Sequence, residues 1–230
     1  MAVRSRALSA NYTLIVDAGT TTLSAEILKN STAKVVAYAS VFNSQSRFGE
    51  DLITRIDYGL QKRGNLTLLQ DSLIRSINRL INRLLKDASL KRCNIKSAFV
   101  VCNSAVHHMM LRIDPSSLVK PPYRPSQKSQ MALYADRLGF NLSKDCMVSF
   151  LPNIGGFVGS DALAVILAIG MYKSRSTILA VDIGTNGEVM LGDKNKILVA
   201  STAAGPAFEK RKRGYGSDLI DGAAMLLREG

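Results

Sequence analysis

The sequence predicts an α/β fold of two related lobes, each beginning with a three-strand antiparallel meander. The first observation is an internal repeat, in which residues 15–21, IVDAGTT, align with residues 180–186, AVDIGTN. The second is that each copy opens a series of β-forming segments separated by short turns. The spacing between the copies is far too long for a solenoid repeat, and it indicates a duplicated domain.

The first lobe begins with strands and continues with a long helix. The meander comprises predicted strands at residues 12–16, 23–28 and 35–42. A helix is predicted at residues 66–88, because five apolar side chains recur there at the helical period. These side chains are Leu69, Leu73, Ile77, Leu80 and Leu84.

The rest of the first lobe is predicted as short alternating elements. We expect a strand at residues 98–102, a helix at 105–111, a proline-rich loop at 115–125, a helix at 130–138 ended by Gly139, and a strand at 147–151.

The second half begins with a glycine-rich segment that we interpret as the crossing between the lobes. Ser160 is predicted to cap an apolar helix that runs to about Tyr172. Strands at residues 177–181, 188–191 and 197–201 complete the second meander. The expected domains are an N-terminal extension at 1–11, a first lobe at 12–150, and a connecting helix with a second lobe at 151–230.

The composition is that of a globular protein, with 47% hydrophobic and 21% charged residues. No run of eighteen apolar residues occurs, and the N-terminus lacks the apolar core of a secretion signal. The net charge of +12 invites a nucleic-acid interpretation. The basic residues are scattered, however, apart from the run at residues 210–213, which we interpret as a solvated turn. We therefore expect no nucleic-acid partner and no membrane partner.

The chain has three cysteines, Cys93, Cys102 and Cys146, without C-x-x-C spacing. Their number and spacing indicate neither a disulfide framework nor a zinc or iron–sulfur site. We therefore expect no iron–sulfur cluster in this chain. A reducing, cytoplasmic location fits the pattern best.

The two repeated loops share the pattern apolar-apolar-Asp-x-Gly-Thr-polar, which suits a metal-bound phosphate. Asp17 and Asp182 end their strands, and hard carboxylate oxygens suit Mg²⁺ directly or through water. The glycines allow a tight turn and close approach of a phosphate, and the threonine hydroxyls can donate to phosphate oxygens. The predicted phosphate-binding residues are Gly19, Thr20, Thr21, Thr22, Gly184, Thr185, Asn186 and Gly187.

A single Asp-x-Gly-Thr segment is more simply explained as a hairpin turn, since turn residues cluster in this way. Two copies, each opening a meander, favour a paired phosphate site instead. Asp17 and Asp182 would hold Mg²⁺ and orient an attacking water.

Six longer motifs carry a resemblance to a known family. They are VDAGTTTLSAE at residues 16–26, FGEDLITRI at 48–56, CNSAVHH at 102–108, LPNIGGFVGSD at 151–161, DIGTNGE at 182–188 and STAAGPAFE at 201–209. Together, and in this order over about residues 12–209, they resemble the reductive activators of corrinoid-dependent proteins. That family lies within the superfamily of actin, sugar kinases and heat-shock chaperone ATPases.

The resemblance implies an actin-like (ribonuclease H-like) two-lobed ATPase fold, with ATP and Mg²⁺ between the lobes. It further implies ATP hydrolysis that accompanies reduction of a Co(II) corrinoid to Co(I). The implied partner is a corrinoid protein of a methyltransferase system, and the implied electron donor is a [2Fe–2S] cluster in a ferredoxin-like domain.

The sequence departs from the family pattern in three respects. Its cysteines cannot hold a [2Fe–2S] cluster, so a separate ferredoxin-domain partner is expected. Sequence is missing after Glu209, and Asp218 replaces a glycine of the family. The chain ends at Gly230, so we expect an incomplete second lobe, in a fragment, a split gene product or a degenerate copy.

An incomplete second lobe would lack the concave wall against which the adenine base of ATP is buried. ATP should therefore bind weakly or not at all to this chain alone. Apolar residues 225–227 would then favour association, either as a homodimer or with a partner.

Two alternative functions remain open at this level. One is a small-molecule kinase of the same superfamily, which would need a base for a substrate hydroxyl. The other is a non-catalytic remnant that binds a partner.

Three further groups of polar residues have both a structural and a functional interpretation. His107 and His108 could be metal ligands, but adjacent positions of a helix do not face each other and would not bind one metal ion together. We therefore interpret both histidines as structural. Asn103 is either a turn cap or a cleft residue. The charged residues Arg47, Glu50, Asp51 and Arg55 are interpreted as a salt-bridged surface or a docking face.

Overall fold

The structure, a computed structural model, describes residues 11–203 and begins with a six-stranded mixed sheet. Its strands are β1 Tyr12–Ala18, β2 Thr22–Lys29, β3 Lys34–Phe42, β4 Ile95–Cys102, β5 Met131–Tyr134 and β6 Met147–Phe150. They are arranged in the order β3-β2-β1-β4-β6-β5. β1, β4 and β6 run parallel to one another, so their carboxyl ends meet at one edge. That edge is where an open α/β sheet offers a binding crevice.

The predicted long helix is confirmed and covers this sheet. The helices of this part are α1 Leu52–Gln61, α2 Asn65–Asp87, α3 Ser104–Leu111, α4 Ser116–Val119 and α5 Ala135–Leu138. The four periodic leucines and the one isoleucine of α2 are all fully buried, as expected for an apolar stripe that faces the core. Sequence reasoning missed α1, which begins after Asp51 caps the amide of Thr54 with its side chain.

The helix predicted at residues 130–138 is wrong in its first half. Met131–Tyr134 instead forms β5, which pairs antiparallel with β6. Pairing with a strand that is distant in sequence overrides the local helical pattern. The second half does form α5, and Gly139 ends it in the left-handed conformation, with φ 76°. The predicted loop at 115–125 contains one helical turn, α4.

A second, three-stranded sheet follows the connecting helix α6 Ser160–Ala168. Its strands β7 Ile178–Ile183, β8 Asn186–Gly192 and β9 Ile197–Ala203 form the predicted second meander. Each strand pairs antiparallel with its neighbour.

The predictions for the ends of α6 are wrong. Gly159, and not Ser160, is its N-cap residue. The buried Ser160 hydroxyl accepts from the Cys102 amide at 3.0 Å and donates to the Cys102 carbonyl at 3.1 Å. This residue therefore ties α6 to the end of β4. The helix ends at Ala168, well before Tyr172, and the chain turns at Gly170 with φ 66°.

Gly159 is a position where any side chain would collide with the first lobe. A Cβ there would overlap the carbonyl oxygen of Cys102 and the backbone of Asn103. We expect Gly159→Ala to lower the free energy of unfolding by about 3 kcal/mol, a typical cost of overpacking. Urea denaturation measures this change.

Gly155→Ala is the matched control for this prediction, since a Cβ at Gly155 meets nothing within 4 Å. Equal stability changes in the two variants would contradict the close packing of α6 against β4.

Several predictions lie outside the described residues. These are the N-terminal extension up to Ala10, the basic run at 210–213, the altered segment around Asp218 and the apolar residues 225–227. The proposed domain boundary at residue 150 stays a prediction. Within residues 11–203, no helix combines the length and the apolar character that a membrane crossing requires.

Candidate functional site

The two repeated turns lie next to each other and close one cleft. Asp17 and Asp182 each stand one residue before the end of their strands, β1 and β7. The hydroxyls of Thr21 and Thr185 are 2.7 Å apart. The Asn186 side-chain amide donates to the Thr20 hydroxyl at 3.2 Å. The internal repeat predicted this meeting of the turns, because duplicated lobes place equivalent loops at their shared interface.

A cavity of about 280 Å³ lies between these turns, and it brings together nine of the ten predicted site residues. They are Asp17, Gly19, Thr20, Thr21, Thr22, Asp182, Gly184, Thr185 and Asn186. The tenth, Gly187, does not line the cavity; it is buried in β8, opposite Ile183. The volume formed by the described residues is slightly below the ~300–1,000 Å³ of pockets that enclose whole small molecules.

Three further polar residues line the cavity, and sequence reasoning did not include them among the predicted site residues. They are Asn103, Asp161 and Glu188. The two alternatives for Asn103 are both realised, since its oxygen caps the amide of Val106 and its nitrogen donates to the Thr20 hydroxyl.

Glu188 could have been found from the hairpin register. Asp182 and Glu188 are directly opposite each other across β7 and β8, so the second turn carries a pair of carboxylates. The equivalent partner of Asp17 in the first turn is Ser24. Asp161 gave no such local signal, because its place depends on how α6 packs against β4.

The cleft is strongly acidic, and the residues that line the described cavity include four carboxylates and no basic side chain. Desolvation, followed by the charge of Asp182, raises the pKa of Asp17 to about 6. The Asp17 side chain is exposed to the cleft, yet protein surrounds the cleft on most sides. Desolvation is also the leading cause at Asp161, whose pKa rises to about 6, and at Glu188, whose pKa rises to about 7.

These raised pKa values have one physical meaning. The free cleft holds more negative charge than it can solvate, so it binds protons more readily than isolated carboxylates do. A cation placed among the carboxylates would relieve the same repulsion.

The pH dependence of stability provides a test at Glu188. A folded pKa above the unfolded value means that the ionised side chain destabilises the fold above about pH 7 and not below about pH 4.5. We expect Glu188→Gln to raise the free energy of unfolding at pH 8 by on the order of 1–2 kcal/mol after solvent screening. The gain should vanish as the pH falls to 4.5. Gln retains the oxygen that accepts from the Ser201 hydroxyl.

Urea denaturation at pH 5 and pH 8 measures this difference. The control is Glu26→Gln, the same change on β2. A pH-dependent gain of equal size in the control would contradict the assignment of the effect to the cleft.

The residues present fit Mg²⁺ in particular. Among residues 11–203, no three or more His, Cys, Asp or Glu side chains come close enough to form a complete metal cage. Mg²⁺ does not need one, because it usually keeps several waters and binds one or two carboxylates together with substrate phosphates. Asp17 and Asp182, on the facing turns, are the candidates for those carboxylates.

The interpretation of Arg55 as part of a charged surface is wrong. Its side chain is completely buried, and it donates to the backbone carbonyls of Gly49, Thr20 and Glu50. Asp51 caps α1.

The two adjacent histidines, His107 and His108, are buried in α3, the helix that follows Asn103. Burial, followed by the charge of His108, lowers the pKa of His107 to about 4. Burial is also the leading cause that lowers the pKa of His108, whose ring contacts Ser104 and Ser126. The two ring centroids are 5.9 Å apart, and these contacts support the structural interpretation.

Comparison with known families gives two adjoining matches. The RACo middle region matches residues 12–174. The C-terminal domain of RACo, the ASKHA domain, matches residues 176–227.

Individual relatives agree with these matches. The corrinoid activation enzyme RamQ of Eubacterium limosum is 31% identical over an alignment of 252 positions, gaps included, which covers 95% of this chain and 42% of RamQ. The [Co(II) methylated amine-specific corrinoid protein] reductase of Methanosarcina barkeri is 38% identical over 65 residues, 28% of this chain and 12% of that protein.

A solved structure of a reductive activator for corrinoid, iron–sulfur protein superposes with a TM-score of 0.87 at 31% identity. The superposition covers 90% of this chain and 33% of that one. The chain therefore spans less than half the length of RamQ and a third of this activator.

Proposed function

The chain belongs to the RACo family, and on that premise we propose that it is an ATP-binding and ATP-hydrolysing module for reductive activation of a corrinoid protein. The expected actin-like fold accords with the ASKHA domain of the family and with the close superposition on a corrinoid activator. The observation that carries the proposal is the cleft itself. Two Gly-Thr turns and four carboxylates face one cavity that has no basic side chain among its described lining residues.

A triphosphate would be repelled by such a cleft unless a cation accompanied it. We assign Asp17 and Asp182 as the carboxylates that hold Mg²⁺, either directly or through coordinated water. When bound, Mg²⁺ neutralises charge that develops on the phosphates during transfer. The turns at Gly19 and Gly184 let backbone approach the phosphates, and the threonine hydroxyls donate to their oxygens.

Hydrolysis would transfer the terminal phosphoryl group to water. Asp17 and Asp182 face the cavity, where a carboxylate can accept a hydrogen bond from the attacking water and orient it. The bond to ADP breaks as the bond to water forms, and catalysis rests mainly on this positioning and on charge neutralisation.

The proposed partner is a corrinoid protein of a methyltransferase system, whose Co(II) centre gains one electron to become Co(I). Following the family resemblance, we propose that the electron comes from a [2Fe–2S] cluster in a ferredoxin-like domain. That domain would lie outside these 230 residues, because their three cysteines are too few to hold the cluster. We also propose that the chain can form a homodimer. Family membership favours this function over a small-molecule kinase.

The proposal is tested by anaerobic activation of a candidate corrinoid protein. The chain, a ferredoxin-domain protein and a low-potential reductant are mixed with the Co(II) corrinoid protein, and formation of Co(I) is followed by its visible spectrum. We expect Co(I) to accumulate with Mg-ATP and not with a non-hydrolysable analogue. Equal reduction without nucleotide or without the chain would overturn the proposal.

A further inference from the structure

The first phosphate turn is held from behind by two buried side chains. The Gly19 carbonyl accepts from the Asn43 side-chain amide at 3.0 Å. The Thr20 carbonyl accepts from the Arg55 guanidinium at 2.7 Å, and the Thr21 carbonyl accepts from the Asn43 backbone amide at 2.7 Å. Three successive carbonyl groups therefore point into the body of the first lobe.

This arrangement determines where the amides of the turn point. In a planar trans peptide, the N–H is directed opposite to the C=O of the same peptide unit. The amides that follow these carbonyls belong to Thr20, Thr21 and Thr22, and they are directed away from Asn43 and Arg55. All three residues line the cavity, whereas Asn43 and Arg55 do not. Within residues 11–203, the amides of Thr20 and Thr21 donate no backbone hydrogen bond.

The side chains of Asn43 and Arg55 each make further hydrogen bonds that fix their positions in the structure. Arg55 uses its planar fork on three carbonyls, adding Gly49 at 2.7 Å and Glu50 at 3.3 Å to that of Thr20. The Asn43 oxygen accepts from the Gln45 amide at 3.0 Å, and its nitrogen also donates to the Gln45 side chain at 3.2 Å. Gln45 in turn donates to the Leu69 carbonyl of α2.

We propose that Arg55 and Asn43 are positioning residues that turn the peptide planes of residues 19–22 so that their amides bind a polyphosphate anion. The proposal rests on the proposed function of the cleft and deepens it. Fixed backbone dipoles bind an anion better than mobile ones because they do not reorganise on binding. The buried guanidinium adds a positive charge behind the same amides.

The test uses the 230-residue chain and magnesium tripolyphosphate. This anion has the three linked phosphates of ATP but no adenosine. Arg55→Lys keeps the charge but loses the planar fork. Asn43→Ser keeps an oxygen that can cap the following turn but loses the donor to Gly19. Binding is measured by titration of the backbone amide signals of Thr20–22 in NMR spectra, and amide hydrogen exchange of the same residues is recorded in the free protein.

We expect each variant to bind tripolyphosphate roughly tenfold or more weakly, as when a preorganised donor is lost. We also expect faster exchange at the loop amides. The matched controls are Arg47→Lys, on an exposed side chain of the same segment, and Asn65→Ser, which removes a partly buried hydrogen bond of 2.7 Å from the Asn65 side chain to the Tyr58 carbonyl. Asn65→Ser should lower the melting temperature and leave the affinity within twofold of wild type, so it separates positioning from stability.

The proposal is overturned if the wild-type chain binds no tripolyphosphate, if both variants bind it as wild type does, or if Asn65→Ser loses as much affinity. Should Arg55→Lys fail to fold, Asn43→Ser carries the test, and unfolding of both would assign the pair to stability alone. Failure of corrinoid activation with the expected tripolyphosphate results would refute the proposed function and leave this inference standing.

Discussion

Asp17→Asn should reduce magnesium-dependent ATP hydrolysis by about 100-fold or more while the protein remains folded. The loss follows from removal of a charged oxygen ligand and of the group that orients water, effects that typically cost two or more orders of magnitude. Phosphate release at saturating Mg-ATP, by the chain assembled with its proposed partners, measures the rate. Unchanged turnover would remove Asp17 from the mechanism.

The same substitution should stabilise the free protein at neutral pH. The pKa of Asp17 is raised from 3.8 to about 6 by desolvation and then by Asp182, so its ionised form destabilises the fold above about pH 6. As the pH falls from 6 to 3.8, that destabilisation disappears. The melting temperature of Asp17→Asn should therefore exceed that of wild type at pH 7.5 without Mg²⁺, and the difference should shrink towards pH 4.

Opposite changes in activity and stability distinguish a functional carboxylate from a structural one. Asp57→Asn, the same change on the exposed side of α1, is the control and should alter neither quantity. A lower melting temperature for Asp17→Asn at pH 7.5 would contradict the electrostatic description of the cleft.

The second large effect is expected at Gly19, and it should be much smaller at Gly184. A Cβ at Gly19 would lie 2.6 Å from the Thr22 carbonyl oxygen, whereas a Cβ at Gly184 would lie 3.3 Å from that of Asn186. The first distance forces the turn to change shape, and the second requires a shift of a few tenths of an ångström. We expect Gly19→Ala to weaken Mg-ATP or magnesium tripolyphosphate binding by roughly 50-fold or more, since the amides of the turn lose their common direction.

Gly184→Ala serves as the matched control and should bind the same anions within about fivefold of wild type, because its backbone can relax. Calorimetric titration of both variants measures the ratio, and circular dichroism shows whether each is folded. Equal losses at the two positions would mean that the turns are equally constrained, which the contacts of Gly19 and Gly184 do not predict.

The repeated turns could be found from sequence because the responsible interactions are local. A β-hairpin needs β-forming residues on both sides of a tight turn, and Asp17-Ala18-Gly19-Thr20 and Asp182-Ile183-Gly184-Thr185 contain that pattern at both places. Likewise, the buried stripe of α2 follows from a period of 3.6 residues. Two related meanders then require a shared interface, and their turns do lie against each other.

Residues 130–138 show where local patterns fail. The spacing of their apolar residues permits a helix, but hydrogen bonds to β6 draw Met131–Tyr134 into the sheet. Those bonds form with residues that the local window does not include, so propensity could not have revealed them.

The sequence by itself determined the fold class, the two meanders and the candidate residues of both turns, because each is encoded within a few consecutive residues. Tertiary structure alone decided which other residues join them. Asp161 reaches the cavity because Ser160 ties α6 to the end of β4. Arg55 lies behind the first turn because packing of α1 brings its guanidinium within hydrogen-bond reach of three backbone carbonyls. The neighbouring sequence does not distinguish an exposed charged side chain from a buried one that binds backbone carbonyls. Its role is determined by which distant backbone groups the packing brings within hydrogen-bond reach.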